Sequence, residues 1–362
     1  MNSKISSGEV MAICVAIIFA MFPGFANNLI LSEARNASLI SLLVAFLIGL
    51  IPIFMIMFIS KKIDTNFADF AKNSLKGFGY ILDFILLIVA LFTIFLSSWF
   101  AIDFIISQFL TRSSYYLIAI LISIVLAIVV NKGIEVLSRT VFILFIISIP
   151  IIILILGTLI PYVEPNNLKP YVDVPFKNII KSSWVFLSLA ISPVFYILGL
   201  KNVTKDKKNF SRKVLMGYII ASLLIFLFLF FIISVYGIDL GSLLTYPVYG
   251  IFKKVQVFGF IERIENFGAM FLITAFFSQF SYFIYAIKNN ICDMFKIKNK
   301  KKETFIIYFL SLSIPLLSIY LFQTYDLNNY IEYTPYIIGI FYVCLIIFFI
   351  RALFMKDAKR SN

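Results

Sequence analysis

The sequence predicts an all-α integral membrane protein, ten transmembrane helices in one domain over residues 1–362, and three observations carry that prediction. Hydrophobic residues are 62% of the chain and charged residues only 14%, which is too little polar surface to cover a globule in water. The apolar residues gather into ten runs long enough to cross a bilayer as helices, at 9–32, 37–60, 80–108, 115–131, 139–160, 178–200, 213–237, 264–288, 304–322 and 335–353. The Lys and Arg residues cluster between these runs or near their ends, 23 of the 31 on one alternating side and 8 on the other. The positive-inside rule then places both termini in the cytoplasm.

The same numbers exclude other classes. A net charge of +13 with no soluble basic domain to carry it argues against nucleic-acid binding. Cys14, Cys292 and Cys344 have neither metal-ligand spacing nor a disulfide framework, and the chain contains no His. The first run lacks a small-residue cleavage site, so it reads as retained and not as a signal peptide. No nucleophile elbow, dinucleotide fingerprint, Walker loop or zinc-hydrolase motif occurs, so neither an enzyme nor a cofactor is expected.

Within the first run, Phe22-Pro23-Gly24-Phe25 interrupts the helix. Proline cannot donate the helical hydrogen bond, so Pro23 releases the Phe19 carbonyl, and in the sixth run Pro193 releases that of Leu189. Irregular backbone at membrane depth is tolerated where it lines a cavity, and matching interruptions in two halves point to a binding site. An even count of runs permits a five-plus-five inverted repeat divided at 161–177, repeat one covering about 9–160 and repeat two about 178–353. Pro52, Pro150 and Pro315 also interrupt runs, so plain kinks are the alternative. The third run holds Asp83 near its cytoplasmic start, expected to reach the interface, and Asp103 near its outer end, expected close to Asn27 and Asn28. Neutral polar candidates at mid-membrane are Ser97, Ser98 and Trp99 in the third run, Ser188 and Ser192 in the sixth, and Thr274, Ser278 and Gln279 in the eighth.

Between the seventh and eighth runs, Thr245-Tyr246-Pro247 reads as a turn. Val248, Ile251, Phe252 and Val255 then recur at helical spacing, giving a short amphipathic helix that either lies on lipid headgroups or folds over a cavity as a lid. Glu262 and Glu265 sit where the next helix begins, and its positive N-terminus accounts for two acids there without a substrate.

Thr245-Tyr246-Pro247, Phe260-Ile261-Glu262-Arg263-Ile264-Glu265, and Lys132-Gly133-Ile134-Glu135-Val136-Leu137-Ser138-Arg139 between the fourth and fifth runs together resemble the B subunit of spore germinant receptors. The likeness extends from Ile5-Ser6-Ser7 to the basic tail. It implies a fold similar to the amino acid-polyamine-organocation transporters, with a five-plus-five inverted repeat and broken helices 1 and 6. It also implies a nutrient sensor in the spore inner membrane that binds a small germinant such as an amino acid, beside a membrane A subunit and a lipoprotein C subunit. Carried over by residue, the implied ligand pocket is Phe22, Pro23, Gly24, Phe25, Ser97, Ser98, Ile191, Ser192, Pro193 and Thr274. The implied outer lid or gate is Tyr246, Pro247, Glu262, Arg263 and Glu265, and the cytoplasmic loop motif is Lys132, Glu135 and Arg139. Many such relatives carry a Gly and then an acid after the proline of the sixth run, whereas Val194, Phe195 and Tyr196 follow it here, which favours a ligand with more apolar surface. Two other readings stand beside the sensor: a small-solute permease working by alternating access, and a structural subunit with no ligand of its own.

Overall fold

A computed structural model of the chain describes residues 4–63, 67–75, 77–254, 265–324 and 332–355. Val255, Glu262 and Arg263, singled out in the sequence, lie outside the described residues. The first run becomes α1 (Ser7–Phe19), a π-helical turn at Phe22–Ala26, and α2 (Asn27–Ala34). α1 begins in a capping box in which Ser6 and Glu9 exchange side-chain to backbone hydrogen bonds of 3.0 and 3.2 Å. α2 ends at Arg35, whose φ of +47° turns the chain into α3 (Ser38–Ser60). There follow α4 (Phe67–Leu75), α5 (Gly77–Gln108), α6 (Tyr115–Asn131) and α7 (Ile134–Leu159). The sixth run is α8 (Phe176–Phe186), which loosens into a π turn at Leu187–Ile191 and then tightens into a 3-10 helix over Ser192–Leu200.

α9 spans Phe210–Leu243, with its regular helix interrupted at Gly237, where φ is +70°, at the predicted end of the seventh run. The amphipathic stretch forms α10 (Pro247–Lys253), followed by α11 (Glu265–Met294), α12 (Lys300–Ile319) and α13 (Thr334–Leu353). Eight helical stretches among the described residues are long and apolar enough to cross a membrane, and Ser7–Phe19 and Tyr115–Asn131 are apolar but shorter.

The packing puts the two interrupted runs inside. α1 lies against α7, α9 and α11, and α5 packs on both α11 and α12, while α3 covers α8, α9 and α13. In the apolar window of Phe176–Leu200, 83% of residues are buried, against 22% for Ile134–Tyr162, so the former is enclosed by protein and the latter faces lipid. Leu47, Ile51 and Phe54 on α3, and Ile143, Ile147 and Leu154 on α7, form such lipid-facing stripes. Asp83 does not reach the interface: it is wholly buried, because α5 begins before it at Gly77 and the α11 end packs across it through Asn290.

Close approach of α3 to the sixth run depends on Gly49. A Cβ there would meet the Ile191 side chain and the Tyr218 hydroxyl, and that hydroxyl donates to the Phe46 carbonyl at 2.7 Å. Gly49→Ala therefore overpacks the seam, and we expect it to cost about 1–3 kcal/mol, read as a lowered thermal midpoint of the detergent-solubilised protein.

Candidate functional site

Neither proline leaves an open gap. At Pro23 the helix widens, and the N–H groups of Ala26 and Asn27 donate five residues back to the carbonyls of Met21 and Phe22. A π turn gives the proline ring room without unwinding the chain, so the free N–H donors expected of a broken helix are already used here. In the sixth run the looser backbone is held by tyrosines from neighbouring helices. Tyr342 of α13 donates its hydroxyl to the Leu187 carbonyl at 2.7 Å, and Tyr282 of α11 donates to the Tyr196 carbonyl at 2.6 Å. These tyrosines were not foreseen, because in a chain with 19 Tyr and 42 Phe nothing in the spacing separates a backbone-capping ring from a packing one.

What the interruptions leave over are polar side chains. Asn27 Oδ1, Ser98 Oγ, Ser188 Oγ and both amide atoms of Gln279 are buried with no hydrogen-bond partner among the described residues. They come from the first, third, sixth and eighth runs, the four whose helices are expected to build the pocket. A buried amide without partners costs about 1–3 kcal/mol, which a fold avoids unless something else satisfies it. Asn27, Ser188 and Gln279 carry this signal in place of several implied pocket residues.

The implied pocket residues divide by environment. Ser97 bonds its own helix, at 3.3 Å to the Ile94 carbonyl. Ile191 and Ser192 are buried, with Ile191 filling the space over Gly49. Phe22 joins a ring cluster in which Phe19 lies 6.2 Å from Phe22, 5.5 Å from Phe228 and 4.9 Å from Phe271. Thr274 faces α1 and α7 across a small apolar cavity of about 20 Å³ shared with Phe19 and Ser278, enough for one water. Pro23 and Pro193 are buried, and Gly24 and Phe25 belong to the π turn. Phe195 and Tyr196 pack inward: the Phe195 ring lies 4.9 Å from Phe67, and the Tyr196 hydroxyl donates to the Leu86 carbonyl at 2.6 Å.

The turn at Thr245-Tyr246-Pro247 latches two parts of the bundle. Asn28 of α2 donates to the Thr245 carbonyl at 3.3 Å. The Tyr246 hydroxyl donates to Asp103 Oδ2 at 2.6 Å and approaches the Phe100 carbonyl at 3.1 Å, and Tyr115 donates to the other oxygen, Oδ1, at 2.8 Å. Asp103 is thus the anchor of a two-tyrosine clamp and not a solvated helix end. Burial, reinforced by Asp103, pushes the Tyr246 phenol far above its ordinary range, so it remains a donor. Val248, Ile251 and Phe252 of α10 are fully buried, against α9, α11 and the π turn of the first run, so α10 packs into the bundle and does not lie on the headgroups. Gly268 makes that seat possible, since a Cβ there would fall on the Phe252 ring. Pro247 opens α10, and Glu265 is the first described residue of α11.

In the loop motif, Glu135 and Arg139 pair with each other at 2.5 Å on an exposed helix face, and Lys132 is exposed. The buried member is Ser138, whose hydroxyl donates to Glu9 at 3.0 Å and so ties α7 to the start of α1. The residues before α1 are tied down too, with Ile5 exchanging backbone hydrogen bonds of 2.9 Å with Val203 and Lys205.

Two solved structures share this architecture. A substrate-bound, outward-open Na+-coupled sialic acid symporter superposes with a TM-score of 0.66 at 11% identity, covering 95% of this chain and 80% of its own. A nucleobase-cation-symport-1 family transporter, in a closed conformation with bromovinylhydantoin bound, gives 0.63 at 13% identity over 87% of this chain and 72% of its own. The fold is shared with these transporters. Spore germination protein KB of Bacillus subtilis is 26% identical over 247 residues, 64% of each chain. Spore germination protein A2 of the same organism is 25% identical over 209 residues, 57% of this chain and 56% of its own. Those matches span less than two thirds of either relative's length. The model of the spore germination protein family matches residues 4–327, and the chain belongs to that family of membrane proteins.

Proposed function

We propose that this chain is the nutrient-sensing membrane subunit of a spore germinant receptor. It binds a small molecule such as an amino acid within the helical bundle and signals to an A subunit and a lipoprotein C subunit in the spore inner membrane. The observation that carries the ligand site is the set of buried, unpartnered polar groups on Asn27, Ser98, Ser188 and Gln279, which a small polar ligand would satisfy. The tyrosine-held backbone of the sixth run and the latched lid give the bundle two elements whose packing a ligand can bias, provided it binds one packing better than the other. The two halves, about 9–160 and 178–353, act in this proposal as inverted repeats, a reading supported by a π turn in the first run at Phe22–Ala26 and another in the sixth at Leu187–Ile191.

A second reading, a permease using alternating access, draws support from the transporter neighbours. Spores that lose and then regain this chain, screened against single amino acids and other small nutrients, test the first reading. We expect one nutrient to trigger germination only when the chain is present. Uptake of that nutrient by proteoliposomes holding this chain alone would establish the permease instead.

A further inference from the structure

On the lysine-rich face, beneath the 3-10 segment of the sixth run, the structure forms a partly open chamber of about 220 Å³ between α5, α11 and residues 195–203. None of Asn27, Ser98, Ser188 and Gln279 is among its lining residues. Its lining includes two carboxylates, Asp83 and Asp293, the amide of Asn290, and the rings of Tyr196, Tyr282 and Tyr285. No Lys or Arg is among the lining residues described, although most of the chain's basic residues lie on this face.

Asp83 is the feature that calls for a ligand. It is fully buried, and Oδ1 accepts from Asn290 Nδ2 at 2.8 Å. Oδ2 has no partner among the described residues, and neither has Asn290 Oδ1 beside it. Two acceptors side by side with no donor are a poor arrangement for an empty site and a good one for a bound N–H cation. The volume, roughly that of seven waters in the liquid, exceeds a bare metal ion. The aromatic walls offer ring faces that attract ammonium groups.

We propose that this chamber binds a small organic cation carrying a primary ammonium group, which donates to Asp83 Oδ2 and Asn290 Oδ1 while its alkyl part lies on the tyrosine rings. Tyr196 and Tyr282 hydrogen-bond above it to the backbone of α5 and of the sixth run, so an occupant braces the segment that follows Pro193.

The test uses the full-length protein in detergent with butylammonium as the probe and KCl and NaCl at equal ionic strength as controls. Butylammonium is expected to raise the thermal midpoint saturably, and Asp83→Asn to weaken its apparent affinity about tenfold or more, the scale of one charge-assisted hydrogen bond. Because Asp83→Asn removes an uncompensated buried charge, the unliganded midpoint should not fall. Asn290→Lys, which tethers an ammonium beside Asp83, should raise the unliganded midpoint and abolish the butylammonium response. No midpoint shift with butylammonium, the same affinity in Asp83→Asn, or an equal response to K+ or Na+ would each overturn the proposal.

Discussion

Replacing Gln279 by Leu should stabilise the protein and deafen it. The side chain is 1% exposed and neither amide atom finds a partner, so the wild-type fold bears a desolvation cost of about 1–3 kcal/mol that an apolar side chain of similar volume removes. The thermal midpoint should therefore hold or rise. If the amide grips the nutrient, the same change leaves ligand polar groups unmatched, and the concentration for half-maximal germination should rise about 10- to 100-fold. Ser98→Ala removes a single hydroxyl and should shift the response less, about 2- to 10-fold. A stabilised Gln279→Leu protein with an unchanged nutrient response would remove Gln279 from the site, and an unchanged response in both variants would remove the site itself. A loss of response without a loss of stability separates a role in binding or signalling from simple misfolding, which is all that a purely structural subunit would show.

The bundle was legible in the sequence because its signal is long. Each apolar run has many residues to vote with, and the helices follow the runs closely: Ser38–Ser60 against 37–60, Tyr115–Asn131 against 115–131 and Thr334–Leu353 against 335–353. The site was legible only by element. Proline marks where a helix must change, but whether it opens, kinks or widens is set by neighbours distant in sequence. At Pro23 the outcome is a π turn, and around Pro193 two tyrosines from α11 and α13 take the Tyr196 and Leu187 carbonyls on either side of the proline. The same limit applies to Asp83 and Asp103. Both looked like interfacial carboxylates from position alone, yet Asn290 meets one from 207 residues away and Tyr246 the other from 143. A carboxylate's partner across the bundle leaves no local pattern, so its role emerges only from the packing. The lid is an intermediate case. Its apolar spacing was plain, and burial of Val248, Ile251 and Phe252 decided between headgroups and bundle.

The largest conformational effect should come from Tyr246→Phe. One hydroxyl fastens the lid turn to the end of α5, donating to Asp103 at 2.6 Å with the Phe100 carbonyl 3.1 Å away. A hydrogen bond to a charged group contributes about 1.5–3 kcal/mol, so its loss should raise the open population of the lid about 10- to 100-fold. Val248, on the fully buried face of α10, reports this opening: in Val248→Cys a membrane-impermeant maleimide can react only when the lid lifts, and the native Cys14, Cys292 and Cys344 are all buried. Tyr246→Phe should speed that labelling by the same factor. Tyr115→Phe removes the other donor to Asp103 without touching the lid, so labelling should stay near the wild-type rate. Equal acceleration by both would mean that the clamp merely holds α5 and α6 together, and no acceleration by either would mean that the lid is held without the clamp, by the apolar seat of Phe252 against Phe228 and Gly268 and by the hydrogen bonds of Asn28 to Thr245, Tyr236 to Gly250 and Lys253 to Gln108. Acceleration by Tyr246→Phe alone would identify a latch, and with it a route by which a molecule arriving from the lysine-poor side reaches the π turn that α10 covers. The nutrient-bound protein then supplies the last comparison: a ligand that closes the lid over itself should slow labelling, and one that signals by lifting it should speed it.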